Sequence, residues 1–435
     1  MDPCVVVSQP VRLHAYEAAV AAGRAGLLHT FITGMYRTGR GLWGPSAWWW
    51  APAPLRQAVD RRLRRRWHPA LDPARVHPIS RYHLLAAAWR SLITVPAPSP
   101  WDVEQWAHRR FDAAVARLVP RLPGVRLLHA FEGAALATFQ VARGLGLPTL
   151  LDVPAALEPT IAALTAEGAP TAHFPVARVR AERALATYLL APSPFVVECL
   201  RRAGVPAERI VPLPYGVDTT RFCPAPVFGA EQTERRPDGV FRALFVGRIG
   251  PRKGVRYLLE AWQRLALPHA ELVLVGAAER EGRALLRRYA GRSRWLRAVP
   301  YTEVHRVYAS ADVFVFPSLA EGSAWVTYEA MAAGLPVVTT PTSGAVLRHG
   351  VEGLIVPPRD VEALAAAIEL LYRSPAMRRH MGRAGRRLME RSYTWQHYHA
   401  RLARVYTAIL AGADPRAAVA EPVTVEVVRD EPSAW

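Results

Sequence analysis

Two stretches of this chain place residue types at spacings suited to a diphosphate and a sugar. The first, Phe245-Val-Gly-Arg-Ile-Gly-Pro-Arg-Lys-Gly254, reads as a strand end, a glycine-rich turn and a helix start. A helix N-terminus offers N–H groups and the positive end of the helix dipole, and Arg248 and Lys253 add two full charges there. The stretch is neither a Walker motif nor a dinucleotide fingerprint; the plainer alternative is a turn with solvated charges. The second, Pro317-Ser-Leu-Ala-Glu321-Gly-Ser-Ala-Trp-Val-Thr-Tyr-Glu329-Ala-Met-Ala-Ala-Gly-Leu-Pro-Val-Val-Thr339, follows a strand, carries Glu321 in a loop and enters a helix that stops at Gly334. A carboxylate accepts hydrogen bonds from two hydroxyls at once, so Glu321 and Glu329 suit a sugar and a ribose. Backbone N–H groups around Ser323–Val326 are placed to meet anionic oxygen. The alternative is a pair of solvated or capping glutamates.

Short β-type runs must position these segments. They fall at Cys4–Ser8, Arg126–Phe131, Thr149–Asp152, Tyr188–Ala191 and Ile210–Leu213, then at Phe241–Val246, Glu271–Val275, Ala311–Phe316, Val337–Thr340 and Gly353–Val356. Helical patterns separate them, which predicts βαβ units and two parallel sheets, with a break near residues 216–240. Ligands of such folds sit at the carboxyl ends of strands. After Gly254, Val255, Leu258, Leu259, Trp262 and Leu265 predict an amphipathic helix with a Glu260–Arg264 pair. A last helix is predicted after Thr394 as N-cap, burying Tyr398, Leu402, Val405, Tyr406 and Ile409. From Gly412 the chain turns polar and reads as loosely ordered.

The 435 residues are 51% apolar, enough for two to three cored domains, and disordered or fibrous classes are excluded. No run is long and apolar enough to span a bilayer, Met1-Asp2-Pro3 does not resemble a secretory leader, and Cys4, Cys199 and Cys223 form no pairing or metal box. A cytoplasmic protein is the expectation. The net charge is +19, yet Lys253 is the only lysine among 55 basic residues and asparagine is absent. A GC-rich coding bias accounts for the bulk of that drift, and a lysine surviving it marks a place for a compact ammonium.

These two segments, in this order and separation, resemble the retaining family-4 glycosyltransferases of the GT-B fold. Supporting stretches are Ala191–Phe195, Pro214–Asp218 with Arg221 and Phe222, Gly350–Leu354 and Ala363–Ile368. The resemblance implies an α/β fold of two Rossmann-like doubly wound domains facing across a cleft. It places an acceptor-side domain at 1–222, a nucleotide-sugar domain at 223–390, and a helix at 391–411 packing back on the first domain, ahead of the 412–435 tail. It implies transfer of a sugar from a nucleoside-diphosphate-sugar to an acceptor hydroxyl with retained anomeric configuration, and no metal or other cofactor. Arg248 and Lys253 would hold the diphosphate, Glu321 the donor sugar and Glu329 the ribose, with Gly247, Ser323, Ala324, Trp325 and Val326 completing the donor site. Cations fixed where a glycosyl phosphate breaks stabilise the charge that develops there.

The chain departs from that pattern. Ser323-Ala324-Trp325 replaces a common Phe-Gly-Leu, and Tyr215 stands where relatives have asparagine. The glycine-rich loop after the first strand is missing; His14 stands there as a candidate phosphate donor. No histidine follows the strand ending at Asp152, so Asp152 is a candidate substitute or part of a plain turn. His129 is either a strand-end site element or a buried packing histidine. Tryptophans and arginines crowd residues 42–67 and suit an anionic membrane surface at the cytoplasmic face, or a solvated helix beside a Trp-rich core. A lipid-linked or other acceptor is compatible with either. Competing readings are an epimerase-like, phosphorylase-like or inactive GT-B protein, and a nucleic-acid binder. Against the last, the basic residues are spread along the chain and form no known motif.

Overall fold

The computed structural model describes residues 2–11, 14–37, 66–92, 100–155, 175–224, 239–291, 293–297, 299–300 and 302–420. Most of the Trp/Arg-rich stretch, 42–65, therefore lies outside the described residues, as do 421–435. Of that stretch Trp67 is described, 43% exposed.

Seven parallel strands make the first sheet: β1 (Val5–Gln9), β2 (Leu28–Thr33), β3 (Val76–Pro78), β4 (Leu127–Phe131), β5 (Thr149–Asp152), β6 (Tyr188–Ala191) and β7 (Ile210–Pro212), in spatial order 3-2-1-4-5-6-7. Alternate residues feed cores on opposite faces. Val5 and Val7 pack with α1 (Ala15–Arg24), whereas Val6 packs with Phe111 and Val115 of the helix over Pro100–Leu118. The second sheet holds β8 (Phe241–Val246), β9 (Ala270–Val275), β10 (Arg294–Leu296), β11 (Val313–Phe316), β12 (Val337–Thr339) and β13 (Gly353–Ile355), in order 10-9-8-11-12-13. Chain order reverses between β1 and β4 in one sheet and between β8 and β11 in the other, the crevice positions of doubly wound folds. The two chemical segments leave β8 and β11, so adjacency at the reversal brings them together. The α/β expectation of two doubly wound sheets holds; β2, β3 and β10 escaped it, being polar-interrupted or three residues long.

Further helices are α2 (Arg81–Leu92), α3 (Pro100–Leu118), α4 (Leu136–Gly144), α5 (Val176–Leu185), α6 (Pro194–Arg202), α7 (Val255–Leu265), α8 (Arg280–Arg288), α9 (Val304–Ala309), α10 (Trp325–Ala332), α11 (Val361–Arg373), α12 (Pro375–Ser392), α13 (Trp395–Leu410) and α14 (Pro415–Ala420). In α7 Val255, Leu258, Leu259 and Trp262 are buried. The predicted Glu260–Arg264 pair does not form: Glu260 accepts from Arg256 at 2.9 Å, and Arg264 reaches Glu362 on α11. Arg256 lies one turn earlier on the same face, and Arg264 is drawn off by the neighbouring helix.

Thr394 caps α13, accepting the His397 N–H at 3.4 Å. The buried face of α13, Tyr398, Leu402, Val405, Tyr406 and Ile409, joins the core formed by β1, α1 and β4. The chain thus crosses between sheets twice, and Val217 pairs with Thr394 where the crossings meet. The tail departs from the loosely ordered expectation: α14 packs on α13 and β7 before the described residues end at 420.

Candidate functional site

The turn after β8 is held by a residue only glycine can be. Gly254 has φ 65, and a β-carbon there would collide with the carbonyl of Pro317 at the end of β11. That contact seats the β8 turn on the β11 loop. Lys253 Nζ meets Glu321 Oε1, with Arg252 Nη1 at 3.0 Å and Ser318 Oγ at 3.0 Å from the same oxygen. Lys253 also lies 5.3 Å from the centre of the Phe316 ring, and its side chain is 15% exposed. Burial draws the Lys253 ammonium down, against the pull of Glu321. Burial pushes Glu321 up, but Lys253 and Arg252 outweigh it and hold the carboxyl below its ordinary value. Arg248, the other cation of this turn, lies at the surface 3.4 Å from Glu279.

Glu329, on α10, faces a different space. The Tyr308 hydroxyl from α9 donates to it at 2.7 Å, and Arg221 is near. Burial pushes Glu329 up to about 7 in spite of both. Glu329, Asp218, Phe222, Trp325 and Trp395 line a pocket beside the domain crossings. The two glutamates therefore serve separate places, one over the β8 turn and one in this pocket.

The N-terminal sheet closes over the β11 loop. Gly322 lies so close under the Pro154 carbonyl, just beyond β5, that a β-carbon would clash, and Ser193 Oγ at the start of α6 donates to the Gly322 carbonyl. Helix α10 starts at Trp325, as the sequence implied. The Ala324 N–H, expected to be available to a ligand, donates instead to Ser343 O at 3.1 Å, because the η-type turn at Pro341–Ser343 packs against it. Ser323 Oγ lies 3.1 Å from the Tyr328 hydroxyl, and Val326 is half-buried. The Trp325 ring packs against Tyr215 (5.2 Å), His14 (5.9 Å) and Trp395 (6.0 Å), bridging the two domains.

His14 and Asp152, separate candidates in the sequence, find each other. His14 Nε2 is 2.7 Å from Asp152 Oδ2, with both side chains buried. His14 is thus engaged by a carboxylate within rings of Phe131 and Tyr215, rather than standing open for phosphate. His129 belongs to packing: Nδ1 pairs with the Tyr406 hydroxyl of α13 at 2.7 Å, and burial pushes it down to about 4, which keeps it neutral. Arg252, Ser318, Tyr308 and Ser193 complete the site and were not singled out in sequence. Arg252 and Ser318 lie inside the two chemical segments and Ser193 inside a supporting stretch, whereas Tyr308 falls in none of them. Among the described residues no group of three or more His, Cys, Asp or Glu has the geometry of a metal site.

Comparison with known proteins points one way. The chain is 35% identical over 188 residues to a glycogen synthase of Mycobacterium tuberculosis, covering 41% of the chain and 45% of the relative. It is 32% identical over 234 residues to a D-inositol 3-phosphate glycosyltransferase of Geodermatophilus obscurus, covering 49% and 51%. The chain thus spans about half the length of the curated relatives it matches. Similarity of fold extends further. Sucrose-phosphate synthase from Thermosynechococcus elongatus superposes with TM-score 0.67 at 20% identity, over 95% of this chain and all of that one. Anabaena HepE in complex with UDP-glucose gives 0.61 at 16%, over 93% and 99%. The fold is the GT-B fold of these glycosyltransferases, and residues 241–374, which carry both chemical segments, match the family described as Glycosyl transferases group 1.

Proposed function

We propose that the protein transfers a glycosyl group from a nucleoside-diphosphate-sugar to an acceptor hydroxyl, with retained configuration and without a divalent metal. The observation that carries this reading is the junction of the β8 turn and the β11 loop. There Arg252 and Lys253 converge on Glu321 beside Gly322, directly under the N-terminal domain. A diphosphate seated on the β8 turn would meet Arg252 and Lys253, held by Glu321, and the surface Arg248, three cations where the leaving group gains charge. Lys253 has donors beyond the one given to Glu321, so it can serve both. Ionised Glu329 would accept both ribose hydroxyls in its pocket. Glu321, held by three donors on one oxygen, would offer the other to a sugar hydroxyl. The His14–Asp152 pair would face the acceptor side of the donor sugar. HepE bound to UDP-glucose, on the same fold, supports a nucleotide-sugar donor here.

The test is a panel of nucleotide-sugars screened by thermal shift, then by donor hydrolysis with and without candidate acceptors. A donor that raises the melting temperature with concentration and is cleaved faster with an acceptor is the expected result. Binding without cleavage identifies an inactive relative, and no binding by any donor refutes the reading.

A further inference from the structure

A single side chain walls two neighbouring chambers. Trp325 opens α10, and Glu329 follows one turn later on the same helix face, so the indole stands beside the carboxylate. Both line the pocket that Phe222 and Trp395 close. On its other side the indole meets the ring of His14 at 5.9 Å. His14 holds Asp152 among aromatic rings: Phe131 at 5.1 Å, Tyr215 at 4.4 Å and Tyr398 at 6.4 Å. Phe131 comes from β4, Tyr215 from the first crossing and Tyr398 from α13, whereas Trp325 belongs to the donor loop of the other sheet.

Volume decides what has to move. The pocket at Glu329 measures about 30 Å³, room for about two waters at ~10–15 Å³ each. Sites for small molecules run to about 300–1,000 Å³. A ribose whose hydroxyls reach Glu329 must therefore displace a wall. Trp395 is fixed, because its backbone lies so close to Gly216 that a β-carbon there would clash, and Phe222 is 1% exposed and packed on the Tyr308 ring. Trp325 is half-buried at the first residue of its helix, so it is the wall that yields. The chamber behind it has unmet needs. Asp152 Oδ1 and the Tyr398 hydroxyl are sealed in without a hydrogen bond, and both residues adjoin His14. Buried unpaired oxygens call for a partner, and a carboxylate and a phenol among ring faces suit a sugar hydroxyl.

We propose that Trp325 is a displaceable wall between donor and acceptor: a ribose entering beside Glu329 pushes the indole aside and uncovers His14 and Asp152 for an acceptor hydroxyl. This role rests on the glycosyltransferase reading. It makes the order of binding a consequence of shape, since the chamber at His14 stays shut until the donor is seated.

Diethyl pyrocarbonate acylates accessible imidazoles, and peptide mass spectrometry reads each histidine separately. The full chain is treated alone, then with UDP-glucose and the other members of the nucleotide-sugar panel, and as Trp325→Ala and Trp325→Phe without nucleotide. His14, 2% exposed, should react slowly in the wild type. It should react roughly tenfold faster in Trp325→Ala, while Trp325→Phe, which keeps a ring, stays near wild type. A nucleotide-sugar that raises the melting temperature should speed the wild-type reaction by a similar factor. His129, fully buried against Tyr406, is the internal control and stays unreactive wherever the fold is intact. A His14 that stays slow in Trp325→Ala, with His129 still protected, overturns the proposal. So does a nucleotide-sugar that binds yet leaves His14 protected, an outcome under which the glycosyltransferase reading stands. If no member of the panel binds, that reading and the coupling both fall, while a reactive His14 in Trp325→Ala still identifies Trp325 as its wall.

Discussion

Replacing Glu329 by glutamine separates what this residue contributes to folding from what it contributes to binding. Burial pushes the carboxyl from 4.5 up to about 7, even though the Tyr308 hydroxyl and Arg221 pull it down. An acid raised in this way contributes its stability in full below pH 4.5, and loses it as pH climbs through about 7. A difference of about 2.5 pH units, at ~1.36 kcal/mol each, makes that loss about 3 kcal/mol by pH 8. The side chain is only partly enclosed, so about 2 kcal/mol is the figure to test. An amide has no charge to bury and keeps a carbonyl oxygen for the Tyr308 hydroxyl. Urea denaturation should therefore find Glu329→Gln about 2 kcal/mol more stable than wild type at pH 8, and equal to it near pH 4.5. Binding should run the other way. With a value of about 7, roughly one carboxyl in ten is ionised at pH 6 and nine in ten at pH 8, so nucleotide-sugar affinity should fall about tenfold from pH 8 to pH 6. The variant should bind weakly and without that slope. Calorimetry at three pH values reads both. A wild-type affinity independent of pH, or a variant no more stable at pH 8, refutes the assignment.

Lys253→Ala should lower donor cleavage about a hundredfold. Lys253→Arg should recover less than about a tenth of the wild-type rate, because a planar guanidinium does not fit the slot between Phe316 and Glu321; full recovery in steady-state kinetics would contradict this. Gly254→Ala forces a β-carbon against the Pro317 carbonyl at φ 65 and should cost about 2 kcal/mol or more by thermal denaturation. Burial pushes Glu17 up, but His399 and His68 overcome it and hold the carboxyl at about 2. This lowered acid stabilises the fold above pH 4.5 and loses that effect as pH falls toward 2. Glu17→Gln should be about 2–3 kcal/mol less stable at pH 7, with the gap narrowing by pH 3; an unchanged gap would point to packing instead.

Much of the site was legible because its main residues lie in two short runs punctuated by glycine. Gly254 and Gly334 end or start helices, and the apolar runs of β8 and β11 set where the turns must fall. What stayed hidden depends on contacts between distant segments. His14 and Asp152 were each visible, but their pairing spans 138 residues and follows only from β1 and β5 sharing one sheet. Ser193 reaches Gly322 because the two sheets face each other, and Tyr308 reaches Glu329 because α9 packs on α10. The engagement of the Ala324 N–H could not be read either, since its acceptor is a backbone carbonyl and carries no side-chain signature. The helix Pro415–Ala420 was hidden by its polar surroundings, and its docking on α13 and β7 supplies the order its own sequence lacks.

The returning helix α13 has a consequence for synthesis. Its buried face completes the core of a sheet whose last strand ends at Pro212, so the first half of the protein waits for residues made about 180 positions later. At about 5–20 residues per second, the α1 face stays uncovered for about 10–40 s after the last strand of its sheet has been made. Pulse proteolysis of ribosome-bound chains would test this, with protection of the first half expected only once residue 410 has emerged. Through that interval, Val20 and Tyr16 on the growing chain would be open to chaperones, and the half of the protein made first would be the last to mature.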